Sequence, residues 1–340
     1  MKKQTTTPPI TLLDGGLGRE LEARGAPFRQ PEWSALCLID PDAHHFVVDT
    51  HLAYLNAGAS VITTNSYAIT PFHIGERFDT SSEALAKTAG RLARQAVDDF
   101  MASKDKQADK GNAHPLPKVA GSLPPLFGSY RPDLFDADNA YDLAKPLIIG
   151  QQDDVDVWLI ETTASILEAK TWLTSLAQFD MAKHPIWLSF TLADDELSEN
   201  EANYPTPKLR SGETVSEMIT QVLAWQASGL DVDLGQAIEA ILFNCSQPEV
   251  MTSALKVANN ELQAQNSPLR LGVYANAFAP KQSAKQANHE LRQMRADTTP
   301  EGYGEWANQW IEAGASIIGG CCGIGVAHIA HLHQVFATEI

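Results

Sequence analysis

Apolar residues along this chain come in short unbroken runs, each followed by a small or polar cluster. They are residues 11–16 (TLLDGG), 61–67 (VITTNSY), 119–123 (VAGSL), 157–163 (VWLIETT), 186–192 (IWLSFTL), 240–246 (AILFNCS), 269–277 (LRLGVYANA) and 315–323 (ASIIGGCCG). Because the runs are continuous rather than alternating, each predicts a strand buried on both faces. Helical spacing fills the intervals. Residues 43–57 place Phe46, Val47, Leu52 and Leu55 toward a core, and 82–100 do the same with Leu85, Leu92, Ala96 and Val97. Residues 214–228 carry Val215, Met218, Ile219, Val222 and Trp225 on one stripe, and 304–313 set Trp306 and Trp310 four apart. Gly58, Gly229 and Gly314 fall where helix C-caps belong.

Strand–helix alternation repeated eight times predicts parallel β/α units, and eight is the number that closes a (β/α)8 TIM barrel. The competing α/β arrangement is an open doubly wound sheet, but no GxGxxG follows the first strand. We expect one barrel domain over residues 1–340, with surface loop insertions near 104–118, 194–212 and 280–299. The last of these is rich in Lys, Gln and Arg and could hold a short exposed helix.

Charge narrows the function classes. The formal net charge is −17 and no dense Lys/Arg cluster exists, which argues against nucleic acid and against anionic membrane surfaces as partners. The start, MKKQTTTPPI, lacks the apolar stretch of a signal peptide, and no run reaches the length of a membrane span. Cysteine is sparse, which suits a reducing compartment. A cytoplasmic protein acting on small molecules, as a monomer or a homodimer, is the expectation.

The cysteines carry the candidate chemistry. They are Cys37, Cys245, Cys321 and Cys322. Cys37 sits in a Leu-rich segment and reads as core. Cys245 ends the sixth run, and Cys321 with Cys322 ends the eighth, 76 residues further on. In a (β/α)8 barrel the C-terminal strand ends share one rim, where active sites gather. Three thiolates suit Zn²⁺, and three protein ligands leave a fourth tetrahedral position open. The bland alternative is three buried cysteines packing as small hydrophobes. The glycines flanking the Cys pair favour metal, because little bulk crowds the sulfurs.

The string IEAGASIIGGCCGIGVAHIAHL, residues 311–332, resembles the C-terminal signature of the homocysteine S-methyltransferase family. FNCS at 243–246 is similar to that family's other zinc-cysteine block. LLDGGLGRELEARG (12–25), HLAYLNAGASVITTNSY (51–67), VAGSL (119–123) and LIETT (159–163) resemble further blocks in the same order. The resemblance implies a zinc-dependent barrel enzyme that methylates the thiolate of L-homocysteine to methionine. It also implies that Asp14 and Glu161 hold the substrate's amino end. The residues agree: Glu161 ends an apolar strand, where a carboxylate calls for a cationic partner. Asp14 also suits a turn or N-cap.

Other polar groups at strand ends are candidates for the same pocket. Thr64 and Tyr67 are expected to line it. Asn244 and Asn276 are expected either to hydrogen-bond thiolates or substrate or to satisfy backbone. Trp33 could face a donor sulfonium with its indole or pack a loop onto the barrel mouth. His51 reads as a helix-surface or capping residue. After VAGS many relatives have a Gly-Pro turn, whereas here the sequence runs LPPLFGSYRPDLF (123–135). That departure leaves the donor open between S-methylmethionine and S-adenosylmethionine. The short stretch after the Cys pair makes betaine the less expected donor. Alternatives are a betaine or other thiol methyltransferase on this fold, a zinc hydrolase, or a non-catalytic zinc or thiol sensor.

Overall fold

The computed structural model describes residues 9–105, 116–179, 184–194, 206–228, 237–278 and 294–337. Its strands are β1 (Thr11–Leu12), β2 (Val61–Thr63), β3 (Lys118–Leu123), β4 (Val157–Thr163), β5 (Ile186–Phe190), β6 (Ile238–Asn244), β7 (Arg270–Tyr274) and β8 (Ala315–Ile318). Helices α1 (Leu17–Ala23), α2 (Leu36–Ile39), α3 (His44–Asn56), α4 (Pro71–Ile74) and α5 (Arg77–Asp105) belong to the first two units. Helices α6 (Ala137–Gln151), α7 (Ile166–Gln178), α8 (Val215–Ser228), α9 (Pro248–Ala264), α10 (Pro300–Glu312) and α11 (Val326–Ala337) follow the later strands.

Every strand pairs in parallel with its sequence neighbour, β8 pairs β1, and a parallel bridge between Leu13 and Val61 completes the ring. This is the (β/α)8 barrel. Strand alternation divides the apolar residues into two populations. Leu13, Val61, Ala120, Val157, Leu159, Trp187, Ala240, Leu242 and Ile317 form the interior cluster. Their outward neighbours, such as Trp158, Ile160, Ile241 and Phe243, pack against the helices. The same alternation puts Glu161 on the inward face, two residues after Leu159.

The helices form for local reasons. In α5, Phe78, Leu85, Ala89, Leu92, Ala96 and Phe100 are buried at helical spacing, so one face seals the barrel wall. The stripe expected on α8 is buried at Val215, Met218, Ile219, Val222 and Trp225. Ser165 caps α7 by accepting from the Glu168 N–H, while Glu168 Oε2 accepts at 2.8 Å from the N–H of Ala164, the residue before the cap. Thr299 caps α10 in the same way through the Gly302 N–H. Gly58 and Gly314 end their helices at φ 107° and 111°, where glycine is the least strained residue. Gly229 lies outside the described residues.

Some expectations change. The loop expected at 104–118 is narrower at both ends, because α5 continues to Asp105 and β3 begins at Lys118. Most of the loops near 194–212 and 280–299, with the short helix expected in the latter, lies outside the described residues. His51 is fully buried rather than on a helix surface. Neither ring nitrogen has a hydrogen-bond partner, and burial pulls its pKa down to about 4, so the ring is neutral. Its helix is covered on that side by its neighbours, a fact that the weak amphipathicity of α3 hides in the sequence. Cys37 is core as expected, with its thiol directed to the Pro27 carbonyl. Among the described residues, no helix is long and apolar enough to cross a membrane.

Candidate functional site

A cavity opens at the C-terminal ends of the strands. Asp14, Trp33, Thr64, Tyr67, Glu161, Cys245, Cys321 and Cys322 all line it, together with Arg19, Phe28, Thr63, Tyr130, Tyr274 and Phe278. Most of the sequence-derived candidates are thereby brought together. Asn244 and Asn276 do not line it. The Asn244 side chain is spent inside the wall: its Oδ1 accepts from the Thr162 N–H and the Ser189 hydroxyl, and its Nδ2 donates to Thr162 Oγ1. Asn276 Oδ1 accepts from the Phe278 N–H at 3.1 Å. Both asparagines satisfy strand ends, because a buried polar group takes the nearest complementary partner.

Cys245 directly follows β6, while Cys321 and Cys322 follow β8 after Gly319 and Gly320. Cys245 has φ 50°, a conformation costing about 1–3 kcal/mol for a residue with a Cβ. Its surroundings hold it there: its N–H donates to the Tyr274 carbonyl, and the next hydroxyl, of Ser246, accepts from the Leu192 N–H. Cys245 and Cys321 are joined as a disulfide with Cα atoms 5.7 Å apart, and the Cys322 sulfur lies 3.9 Å from that of Cys321. All three sulfurs lie within 4.8 Å of one another. Thiolates about 2.3 Å from one tetrahedral zinc stand about 3.8 Å apart. Once the Cys245–Cys321 bond is reduced, three thiolates this close together are within reach of one metal ion.

The backbone around them is tightly built. A Cβ on Gly16 would lie 2.5 Å from the Cys321 carbonyl oxygen and 3.2 Å from the Cys322 Cα. Backbone cannot yield cheaply, so Gly16→Ala is expected to displace the Cys pair. Overpacking of this kind costs about 1–3 kcal/mol. We expect a lower melting temperature together with reduced metal content. A variant with wild-type values of both would show that the loop absorbs the methyl group.

Two carboxyls share the cavity with the sulfurs. Asp14 accepts from the Thr63 N–H at 2.7 Å and from the Thr63 hydroxyl at 3.0 Å. Burial nevertheless lifts its pKa to about 7, outweighing these bonds, with the nearby Glu161 charge adding to the rise. Glu161 accepts a short hydrogen bond from the Ser122 hydroxyl and a long one, 3.4 Å, from the Tyr274 phenol. Burial raises its pKa to about 7 as well. No cation pairs with either carboxyl among the described residues. Two buried acids without a counter-charge are costly to ionise, and a cationic group placed beside them would offset that cost.

Ser122, Tyr274 and Thr63 were not found from the sequence. Ser122 and Thr63 each sit one strand away from the carboxyl they serve, and Tyr274, on β7, sits three strands from Glu161 on β4, so sequence distance hid the pairings. The Ser of VAGSL, at the end of an apolar strand, was the available signal. Thr64 is less exposed to the cavity than expected. Its hydroxyl donates to Gln151 Oε1 at 2.6 Å and accepts from the Ser122 N–H, so it braces the strand that carries Ser122.

Part of the cavity lining is aromatic. Trp33 meets Phe28 and Tyr67 edge to face at centroid distances of 6.0 and 6.1 Å, and stacks on His73. Its indole presses on α1, where a Cβ at Gly18 would lie 2.9 Å from Trp33 Cζ2. Tyr67 is fixed by a 2.7 Å hydrogen bond to the Ser129 hydroxyl. Ser129 lies in the loop of residues 123–135, whose sequence departs from the common pattern.

Comparison with known proteins agrees with this geometry. The family model for homocysteine S-methyltransferase matches residues 11–336. The Escherichia coli homocysteine S-methyltransferase is 27% identical, over 95% of this chain and 94% of its own. A selenocysteine methyltransferase of Astragalus bisulcatus is 25% identical, over 96% and 92%. Among solved structures, the metallated and oxidised forms of the Escherichia coli homocysteine methyltransferase MmuM each superpose with a TM-score of 0.72. Each is 26% identical and covers 96% of both chains. With nearly its whole length matched by one family model, this chain belongs to the homocysteine S-methyltransferase family and is a methyltransferase.

Proposed function

We propose that this protein transfers a methyl group from a sulfonium donor, S-methylmethionine or S-adenosylmethionine, to the thiolate of L-homocysteine, using zinc held by Cys245, Cys321 and Cys322. One observation carries the reading: three sulfurs within 4.8 Å of one another open into the same cavity as two buried, uncompensated carboxyls. Homocysteine has the matching ends, a thiol and an ammonium group.

Zinc, when bound, favours the deprotonated form of an incoming thiol and so supplies a nucleophile at neutral pH. The chain's own residues do the rest. Glu161 and Asp14 take the ammonium, with Ser122, Tyr274 and Thr63 fixing the carboxylates in place. No general base is needed, because the thiol proton is lost to solvent on binding. The sulfur lone pair forms the new S–CH3 bond as the donor's S–CH3 bond breaks, and that electron pair stays on the departing sulfur. The donor leaves as a neutral thioether. Holding both sulfurs in line with the methyl supplies much of the acceleration. Trp33, Phe28 and Tyr67 offer the aromatic faces that attract a sulfonium.

The test is metal analysis of reduced, zinc-loaded protein, followed by methionine formation with S-methylmethionine, S-adenosylmethionine or betaine. We expect one zinc per chain and turnover with a sulfonium donor. Zinc without methionine from any donor would leave a metal-binding thiol protein instead, and turnover with betaine alone would exclude the sulfonium assignment.

A further inference from the structure

Among the described residues lining the cavity, Arg19 is the sole cationic side chain. Asp14, Glu161 and the three sulfurs face the same cavity, and Arg19 meets its aromatic lining at Phe278. It is the third residue of α1, directly after Gly18, on which the Trp33 indole rests. Its guanidinium carbon lies 5.9 Å from the centroid of the Phe278 ring, also on the cavity wall. Its ion pair is with Glu22 at 2.7 Å, a partly exposed contact one turn along the same helix. Such pairs are weakly held and readily exchanged. The contact uses one of the five donors on a planar fork shaped for carboxylates.

Resting on the methyl-transfer reading above, we propose that Arg19 anchors the carboxylate of the methyl donor. The site would thereby select sulfoniums borne on a carboxylate-carrying chain. The charges sort the two substrates. Homocysteine brings its ammonium to Glu161 and its thiol to the cysteines. The donor sulfonium then lies between the acceptor sulfur and the aromatic wall at Trp33. In S-methylmethionine the carboxylate carbon is four bonds from the sulfonium sulfur, and Arg19 is the residue next to the one that Trp33 touches. A donor carboxylate placed near Asp14 and Glu161 would be repelled, so Arg19 also sets the donor's orientation.

The experiment compares S-methylmethionine with its methyl ester, which keeps the sulfonium and the ammonium but loses the anion. Each is read as kcat/KM where it is turned over and as an inhibition constant where it is not. In the wild-type protein the acid is expected to be preferred by about ten- to hundred-fold, the range of one charge-assisted contact. Arg19→Ala should collapse that preference toward unity, and Arg19→Lys should retain part of it. Zinc content and the KM for homocysteine are measured in the same variants and report that the fold is intact. An acid-to-ester preference unchanged in Arg19→Ala overturns the assignment, as does a rise confined to the homocysteine KM. Absence of methionine formation by the wild-type protein with every donor would refute the methyl-transfer reading itself, a result distinct from either.

Discussion

Replacing Cys321 with serine is expected to strip the reduced protein of most of its zinc and, with it, of its turnover. The reason is geometric. Cys321 is the middle member of the trio, 3.9 Å from the Cys322 sulfur and in covalent contact with that of Cys245. Removing it leaves two sulfurs from separate strands and two open positions. Zinc bound by four ligands in small structural sites is worth about 10–16 kcal/mol at neutral pH, or roughly 3 kcal/mol per ligand. Loss of one thiolate therefore weakens binding on the order of 10²-fold. Titration against a competing chelator measures this directly, with the protein reduced first. Cys37→Ser serves as the control, because Cys37 is buried elsewhere and its thiol donates to the Pro27 carbonyl. Burial raises its thiol to about 11, so it is not a ready thiolate. Unaltered zinc affinity in Cys321→Ser would remove the metal from this site.

The barrel was legible because its strands are buried on both faces, so each leaves an uninterrupted apolar run. Glycine at helix ends and the stripe on α8 added the alternation. Helices α6, α7 and α9 were harder. Pro146 interrupts α6, and α9 begins with Pro248 directly after the Cys245 segment, so neither shows a long clean stripe. Within the site, residues with distinctive chemistry were legible, since thiols and carboxyls at strand ends, and a tryptophan in the segment after the first helix, demand a special partner. Serine, threonine and tyrosine do not announce theirs. Ser122 meets Glu161 across 39 positions through the pairing of β3 with β4, and Tyr274 meets it across 113 from β7, three strands away. For Asn244 and Asn276 the sequence left two roles open, because an amide at a strand end is as readily used to satisfy backbone as to face a substrate, and neither lines the cavity. Arg19 escaped notice because a charged residue in the first turns of a helix looks like solvated surface until the cavity beside it is seen.

Glu161→Gln should weaken the binding of a homocysteine-shaped ligand and reduce its dependence on pH. The useful ligand is L-norvaline, which replaces the thiol with a methyl group and so removes thiol and metal chemistry from the measurement. Its ammonium stays protonated below pH 7, so the titrating partners are the protein's own acids. Glu161 and Asp14 are both raised to about 7 by burial, and an ammonium favours their ionised forms. Binding below pH 7 must therefore expel the protons they carry. Affinity is expected to fall between ten- and hundred-fold for each pH unit below 7, according to whether one or both must ionise. The glutamine removes one of these protons, so the slope falls by one factor of ten. Above pH 7, where the wild-type carboxylate is charged, the variant should bind roughly thirty-fold or more weakly, the effect of deleting one partner from a buried charge pair. Stability moves in the complementary direction. In the empty protein Glu161 holds its proton up to about pH 7, whereas the unfolded chain releases it near the ordinary glutamate value of 4.5. As pH rises between those values the unfolded state is favoured, by on the order of 3 kcal/mol in total for this group. Glu161→Gln should recover that stability near neutral pH while losing affinity. A binding slope in the variant equal to the wild-type slope would show that Glu161 does not receive the ammonium. A neutral-pH melting temperature no higher than wild type would show that its carboxyl is not held in the uncompensated state described here.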